Sequence, residues 1–331
     1  MISRIDNIQH VQTKNYHKTN LCPKVSNNVP FKGHLKIEMT PNEGFEILRH
    51  ETGFFREYPT LKFVKDYVEK FFKDKDEIRI VSGACSTGEE VVSLGILLNA
   101  MKDKVKILGI DVGEKAIDSA KSGKYTFERY KYMHSGSNLS ALSDVFLAFK
   151  TKNKLSIEQK GLKQLFDKFF EPTDTVFADK IVTEGNKFIA FLNKLLLMPI
   201  VKEQKEYKIR DGELRNCEFV LGNITDINEI TKGKKSDVIL FRNAMYHMAT
   251  DYFDTVKGKR VLCNSAENII ENLINILKNN LNKNGILCFG EHEGYQLTND
   301  KILPNVLKKL GFEPLNRTPK QEATVWKLKS E

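Results

Sequence analysis

The run Gly83-Ala84-Cys85-Ser86-Thr87-Gly88 follows the apolar stretch IRIVS and precedes Glu89 and Glu90. Small residues in such a turn let a ligand approach the backbone, and the first N–H groups of a following helix are free to donate. The turn is not GxGxxG, because Cys85 stands where the middle glycine would be, and it lacks the GK[ST] of a phosphate loop. Two carboxylates in the first helical turn suit the helix dipole and repel a phosphate. The pattern therefore points to a ligand with a polar or cationic group there, or to a plain strand-to-helix turn with dipole-matched acids. Asp111 ends the next strand-like run, VKILGID, where a carboxylate can accept from both hydroxyls of a ribose. Aspartate is also a good helix starter, so Asp111 alone decides little. Together the turn and the acid suit S-adenosylmethionine better than a nicotinamide dinucleotide.

These residues need a scaffold, and the chain supplies a regular one. IRIVSG and VKILGID are each followed by a helical pattern, from about Gly88 to Met101 and from about Glu114 to Lys121. The rhythm resumes with CEFVLGNITD, SDVILFRNAM, the helix-like AENIIENLINILKNNL, GILCFGEH and the helix-like DKILPNVLKKLGF. Such alternation predicts an α/β fold, with a mostly parallel sheet covered on both faces. The closing run ATVWKLKS has no helix before it and is expected to pair antiparallel beside the strand near FEPLN, as an edge hairpin. Ligands of such sheets sit beyond the carboxyl ends of the strands, where the glycine turn and Asp111 both fall.

Residues 1–40 are polar, without apolar periodicity, and read as a poorly ordered arm. Residues 41–77 are expected to hold helices, one started by Thr40 and Pro41 and one carrying Leu61, Val64, Val68 and Phe71 on a single face. Residues 78–331 form the main domain. Its rhythm breaks at about 126–215, where SNLSALSDVFLAFK and IEQKGLKQLFDKFF look helical and DKIVTEGNKFIAFL looks like a hairpin turning at Glu184-Gly185-Asn186. This stretch is read as an insertion or subdomain at one end of the sheet.

The 331 residues carry 52 Lys and Arg against 43 Asp and Glu, a net charge of +9. The lysines are scattered along helical stretches rather than grouped with aromatics, which disfavours nucleic acid. Cys22, Cys85, Cys217, Cys263 and Cys288 form no CxxC or Cys/His cluster, so neither a metal site nor a disulfide framework is expected. No apolar stretch is long enough to span a bilayer, and the N-terminus has no signal-like apolar region, giving a cytoplasmic expectation with no membrane insertion. Nothing in the sequence sets an oligomeric state.

Six motifs in order give the chain a family resemblance. T-x-F-F-R appears as Thr52-Gly-Phe-Phe-Arg56, and (A/G)-C-S-T-G-E-E-x-x-S as Ala84 to Ser93. The strand end LGIDV contains Asp111 and is followed by SGKY up to Tyr125; Gly222-Asn223-Ile224 stands where an L-N-L strand end is expected. Phe241-Arg-Asn-Ala-Met-Tyr-His-Met248 matches C-R-N-x-x-I-Y-F, and NKNGILCFGEHE matches a closing L…G.L..G.SE segment. From about residue 45 to 328 the chain resembles the CheR-type chemotaxis receptor methyltransferases, which methylate glutamate side chains with S-adenosylmethionine.

The resemblance implies a Rossmann-like class I methyltransferase fold, and S-adenosylhomocysteine as the second product. It places Gly83, Ala84, Cys85, Glu89, Asp111, Asn223 and Ile224 around the cofactor, with Thr52, Arg56 and Arg242 at its methionine end. Arg56 is expected to orient the acceptor carboxylate, since its planar fork matches an oxygen pair. The family's active-site tyrosine aligns with His247, and Tyr246 stands next to it. The partner implied is a protein with an exposed glutamate, such as a chemoreceptor-like protein. Three departures stand out: about 50 polar residues precede T-x-F-F-R in place of an all-helical basic domain, the tyrosine is replaced, and the insertion reads as longer and more helical than the small β-subdomain of many relatives. They leave open a cofactor-binding regulatory relative, or a methyltransferase of nucleic acid or small molecules.

Overall fold

The face that α1 (Tyr58–Phe71) buries follows its spacing: Leu61, Val64 and Val68 recur one helical turn apart and are fully buried. The expected fourth member, Phe71, is instead 55% exposed, and Phe72 goes inward. The reason is local. The helix ends at Phe71, and the backbone of Phe72 leaves helical geometry (φ −118°), swinging its ring under Tyr67.

The computed structural model describes residues 52–129, 157–180, 201–251, 261–262, 265–290, 293, 301–316 and 323–329. The expected polar arm, the helix started by Thr40, and the helix in SNLSALSDVFLAFK lie outside them. After α1 come β1 (Ile78–Gly83), α2 (Glu89–Leu97), β2 (Val105–Asp111), α3 (Glu114–Ser122), β3 (Lys124–Arg129), α4 (Ile157–Phe169), β4 (Phe170–Lys180), β5 (Val201–Ile209) and β6 (Cys217–Leu221). The chain continues with α5 (Ile227–Ile230), β7 (Ser236–Phe241), α6 (Met245–Ala249), β8 (Thr250–Asp251), β9 (Val261–Leu262), α7 (Ala266–Asn279), β10 (Leu281–Cys288), α8 (Ile302–Lys309), β11 (Phe312–Pro314) and β12 (Val325–Leu328).

The main sheet has the order β11-β12-β10-β7-β1-β2-β6. β6, β2, β1, β7 and β10 are mutually parallel, while β12 runs antiparallel to both β10 and β11. The antiparallel ending is as expected, but β12 lies inside the sheet and β11 forms the edge. The result is a mostly parallel α/β sheet with an antiparallel end, as the strand-helix alternation predicts. Adjacent residues on a strand point to opposite faces, so Ile80 and Val81 of β1 join two separate cores. On one side Ile80, Val238 and Ile286 pack with α1 and α2; on the other Val81, Ile239 and Leu287 pack with Ile270, Leu273 and Leu277 of α7. Among the described residues no helix is long and apolar enough to cross a membrane.

The insertion is more β than expected. β3, β5 and β4 form a three-stranded antiparallel sheet, with α4 leading into β4. The expected turn at 184–186 lies outside the described residues, but Asp179 and Lys180 pair with Lys202 and Val201, well beyond the anticipated hairpin partner. An aromatic cluster fixes this sheet to the T-x-F-F-R turn: the Phe54 ring meets Tyr125 at 4.8 Å and Phe170 at 5.3 Å, edge to face.

The strand order reverses about β1, with β2 and β6 to one side and β7 and β10 to the other. Such a switch point leaves a crevice beyond the carboxyl ends of the strands. Gly83, Asp111 and Phe241 end the three strands that border it.

Candidate active site

Three segments wall a cleft at this switch point. Thr52, Gly53, Arg56 and Leu61 come from the turn before α1 and its first residues. Ala84, Cys85, Ser86, Glu90 and Asp111 come from the ends of β1 and β2 and the start of α2. Arg242, Asn243, Ala244 and His247 follow β7. Of the residues singled out from sequence, Thr52, Arg56, Ala84, Cys85, Asp111, Arg242 and His247 are thus brought together.

The turn after β1 is shaped by left-handed backbone at Ala84 (φ 54°), Ser86 (φ 51°) and Gly88 (φ 91°). Gly88 is required there twice over, since a Cβ would also sit 2.7 Å from the Phe219 ring. Gly83 has a packing role instead: a Cβ would come within 2.7 Å of the Ile224 side chain. Ile224 is buried beneath it, and Asn223 Oδ1 accepts the Thr225 N–H at 3.1 Å. Gly83, Asn223 and Ile224 lie at the carboxyl edge of the sheet, beside the residues that line the cleft.

Asp111 does line the cleft, and its carboxylate is already oriented. Oδ2 accepts the Ser86 N–H at 2.7 Å and Oδ1 the Gly113 N–H at 2.8 Å, which ties the β1 and β2 loops together. A carboxylate has about four acceptor positions, so lone pairs remain for a diol. Beside it Val112 is an exposed apolar side chain, 43% accessible, and Leu221 at the end of β6 is another. An apolar ring could cover them; neither was evident as a site residue from sequence.

Glu89 and Glu90 divide their roles. Consecutive helical side chains point about 100° apart, so only one can face the cleft, and it is Glu90. Glu89 Oε2 accepts Thr87 Oγ1 at 2.6 Å and Thr52 Oγ1 at 3.2 Å, fastening the T-x-F-F-R turn to the start of α2. Burial raises its pKa, and these two hydroxyls partly oppose the shift. Cys85 is no nucleophile: burial, then the charges of Asp111 and Glu90, hold its thiol well above the ordinary range.

Arg242 is the most constrained group. Its side chain is 3% exposed and donates to Glu90 Oε2 at 2.6 Å, Glu57 Oε2 at 2.8 Å and the Arg56 carbonyl at 2.9 Å. Burial alone would lower its pKa, but Glu90 and Glu57 more than offset this, so the group is raised and stays charged. With these bonds made, Arg242 shapes the wall rather than presenting a free fork to a ligand. Arg56 is 21% exposed along its side chain, with Nε 4.0 Å from Glu57 Oε1, and its charge borders the open cleft. At the tyrosine position the geometry distinguishes the two neighbours. His247 lines the cleft, while Tyr246 packs against the core beneath α6, its ring 3.9 Å from the imidazole.

The cleft fits S-adenosylmethionine. Its walls offer carboxylates at Glu90 and Asp111 for a cationic and hydroxylated ligand, a left-handed loop that exposes backbone, and an exposed apolar residue next to Asp111. The helix start that follows the glycine turn does not suit a phosphate, since Glu89 and Glu90 open α2.

Residues 50–182 match the family model described as CheR methyltransferase, SAM binding domain. The chain is 44% identical over 206 residues to a chemotaxis protein methyltransferase of Campylobacter jejuni strain 81-176, across 62% of this chain and 53% of that protein. It is 28% identical over 176 residues to one of Borreliella burgdorferi, across 45% of this chain and 62% of that protein. It spans about half the length of the Campylobacter relative. Among solved structures, the bifunctional kinase-methyltransferase WbdD matches with TM-score 0.38 at 10% identity, over 87% of this chain and 42% of that one. The family match covers the T-x-F-F-R turn, the glycine turn and Asp111, which build two of the three cleft walls, and over these residues the chain is similar to the CheR-type methyltransferases.

Proposed function

We propose that this protein transfers a methyl group from S-adenosylmethionine to a glutamate side chain of an acceptor protein, most simply a chemoreceptor-like one. The observation that carries the reading is the meeting of Arg56 and His247 with the glycine turn and Asp111 on one cleft. S-adenosylmethionine, when bound, supplies a methyl group activated by its sulfonium charge. A glutamate is ionised at neutral pH and is itself the nucleophile, so no general base is needed. Arg56 binds and aligns the two acceptor oxygens through its planar fork. That contact also lowers their nucleophilicity, so its gain lies in placement. Glu90 and Asp111 make the interior favourable for a cation, while Arg242 balances Glu90 on the wall side. Leu61 and the Ala84–Cys85 turn exclude water from the reacting atoms.

The test is incubation with methyl-labelled S-adenosylmethionine and glutamate-rich receptor peptides, followed by mild base. Label released as methanol is expected. Label stable to base, or appearing only in RNA or small molecules, would replace the carboxylate reading. Tight S-adenosylhomocysteine binding without transfer to any acceptor would favour a regulatory relative.

A further inference from the structure

Glu57 belongs to no motif that sequence reading singled out, yet it occupies the centre of the wall. It starts α1 in a left-handed conformation, φ 52°, without a side-chain cap to its own helix. That is a costly backbone for a glutamate, which has no glycine-like freedom there. Its carboxylate turns across the cleft wall instead. Oε2 accepts from Arg242 at 2.8 Å, and Oε1 accepts from Asn243 Nδ2 at 3.0 Å, with the side chain only 6% exposed. Asn243 is itself left-handed, φ 57°, and a Cβ on Gly290 would sit 2.3 Å from its Oδ1, so this turn has no room to shift towards β10. The same Arg242 guanidinium reaches the Arg56 carbonyl at 2.9 Å. One buried carboxylate thus spans residues 185 and 186 positions apart in sequence and fixes both turns that border the cleft.

We propose that Glu57 is a positioning residue, holding the Arg56 turn and the Arg242-Asn243 turn in the relative placement that cofactor binding requires. The inference rests on the proposed function only in taking S-adenosylmethionine and its demethylated product as ligands of the cleft. A carboxylate that merely stabilised the fold would not set affinity. Asp237 supplies that contrast: it is also buried, at the opposite end of β7, and is held by Lys75, the Arg79 N–H at 3.0 Å and Asn282 Nδ2 at 2.8 Å.

The experiment is calorimetric titration with S-adenosylhomocysteine, alongside thermal melting, on wild type, Glu57→Gln and Asp237→Asn. Glu57→Gln keeps the shape and removes the charge. It should weaken binding by about tenfold or more, as a buried charged contact is lost. Asp237→Asn should lower the melting temperature yet leave affinity within about twofold, since its network touches no cleft residue. Should Glu57→Gln fail to fold, Glu57→Asp keeps the charge facing Arg242 while being too short to hold both partners, and it should still bind more weakly than wild type. Equal affinity of folded Glu57 variants and wild type would overturn the inference, as would an equal loss in Asp237→Asn. Wild type that binds no S-adenosylhomocysteine would overturn the proposed function as well, which separates the two failures.

Discussion

Two arginines at the cleft make different predictions. Arg56 borders open space, and its proposed task is to align an acceptor. Arg56→Ala should lower methyl transfer by about 100-fold at saturating cofactor, on the order of 3 kcal/mol, and Arg56→Lys should restore only part of it. Single-turnover rates on a glutamate peptide test this; equal rates in Arg56→Ala and wild type would remove Arg56 from the chemistry. Arg242 is buried between Glu57 and Glu90. Arg242→Met would leave two buried carboxylates without their shared cation, so the expected result is a loss of about 3–5 kcal/mol of stability. Urea denaturation reads it directly, and an unchanged midpoint would show that the carboxylates find other partners. In sequence the two arginines look alike, each after an aromatic residue. What separates them is the burial of Arg242 between Glu57 and Glu90, 185 and 152 positions away in sequence, and no local pattern reports such partners. The same holds for Glu89 and Glu90: the motif is legible, but which of two neighbours faces the cleft depends on how α2 is rotated against β1.

At the scale of elements, the short helix α6 carries His247 and depends on an acid from outside it. Glu293 is fully buried; its Oε2 accepts the Met245 N–H at 3.1 Å and its Oε1 the Gly290 N–H at 3.5 Å. Burial pushes its pKa up to about 8, against the pull of hydrogen bonds from Gly290, Asn243 and Met245, with Glu57 adding a smaller upward push. An unfolded glutamate titrates near about 4.3. Between that pH and about 8 the folded state therefore holds a proton that the unfolded state has lost, and stability falls as pH rises. Glu293→Gln, neutral throughout, should lose this component, so its melting temperature should decline less than that of wild type between about pH 5 and pH 8. Parallel declines would refute the assignment. Elements were legible where their signal was local. The parallel strands and their helices read directly, because each strand-helix pair is contiguous and strongly apolar. The three-stranded sheet did not, because β5, with the sequence VKEQKEYKI, is polar and its partners β3 and β4 lie far away in sequence. The apolar period continues through Phe71 in the sequence, whereas the helix stops there.

The whole molecule adds a long-range field to these local arrangements. Its charge of +9 is not concentrated on the cleft wall: Arg56 and Arg242 there face Glu57, Glu90 and Asp111. The excess positive charge therefore lies outside that wall, and a glutamate-rich acceptor of the proposed kind would be attracted to the chain as a whole. Charges in the open are screened within a Debye length, which shrinks from roughly 30 Å at 0.01 M salt to roughly 3 Å at 1 M. The buried contacts among Arg242, Glu57 and Glu90 are shielded from that change. Raising salt from about 0.02 to about 0.5 M should accordingly raise KM for a glutamate-rich acceptor by about tenfold while leaving kcat unchanged. The affinity for S-adenosylhomocysteine, set inside the cleft, should move by less than about twofold over the same range. Steady-state kinetics and calorimetry on one preparation separate the two effects. A flat KM would mean that the acceptor is recognised without its charge, and a parallel fall in S-adenosylhomocysteine affinity would mean that the cleft itself is solvated and the Glu57–Arg242–Glu90 wall does not close it.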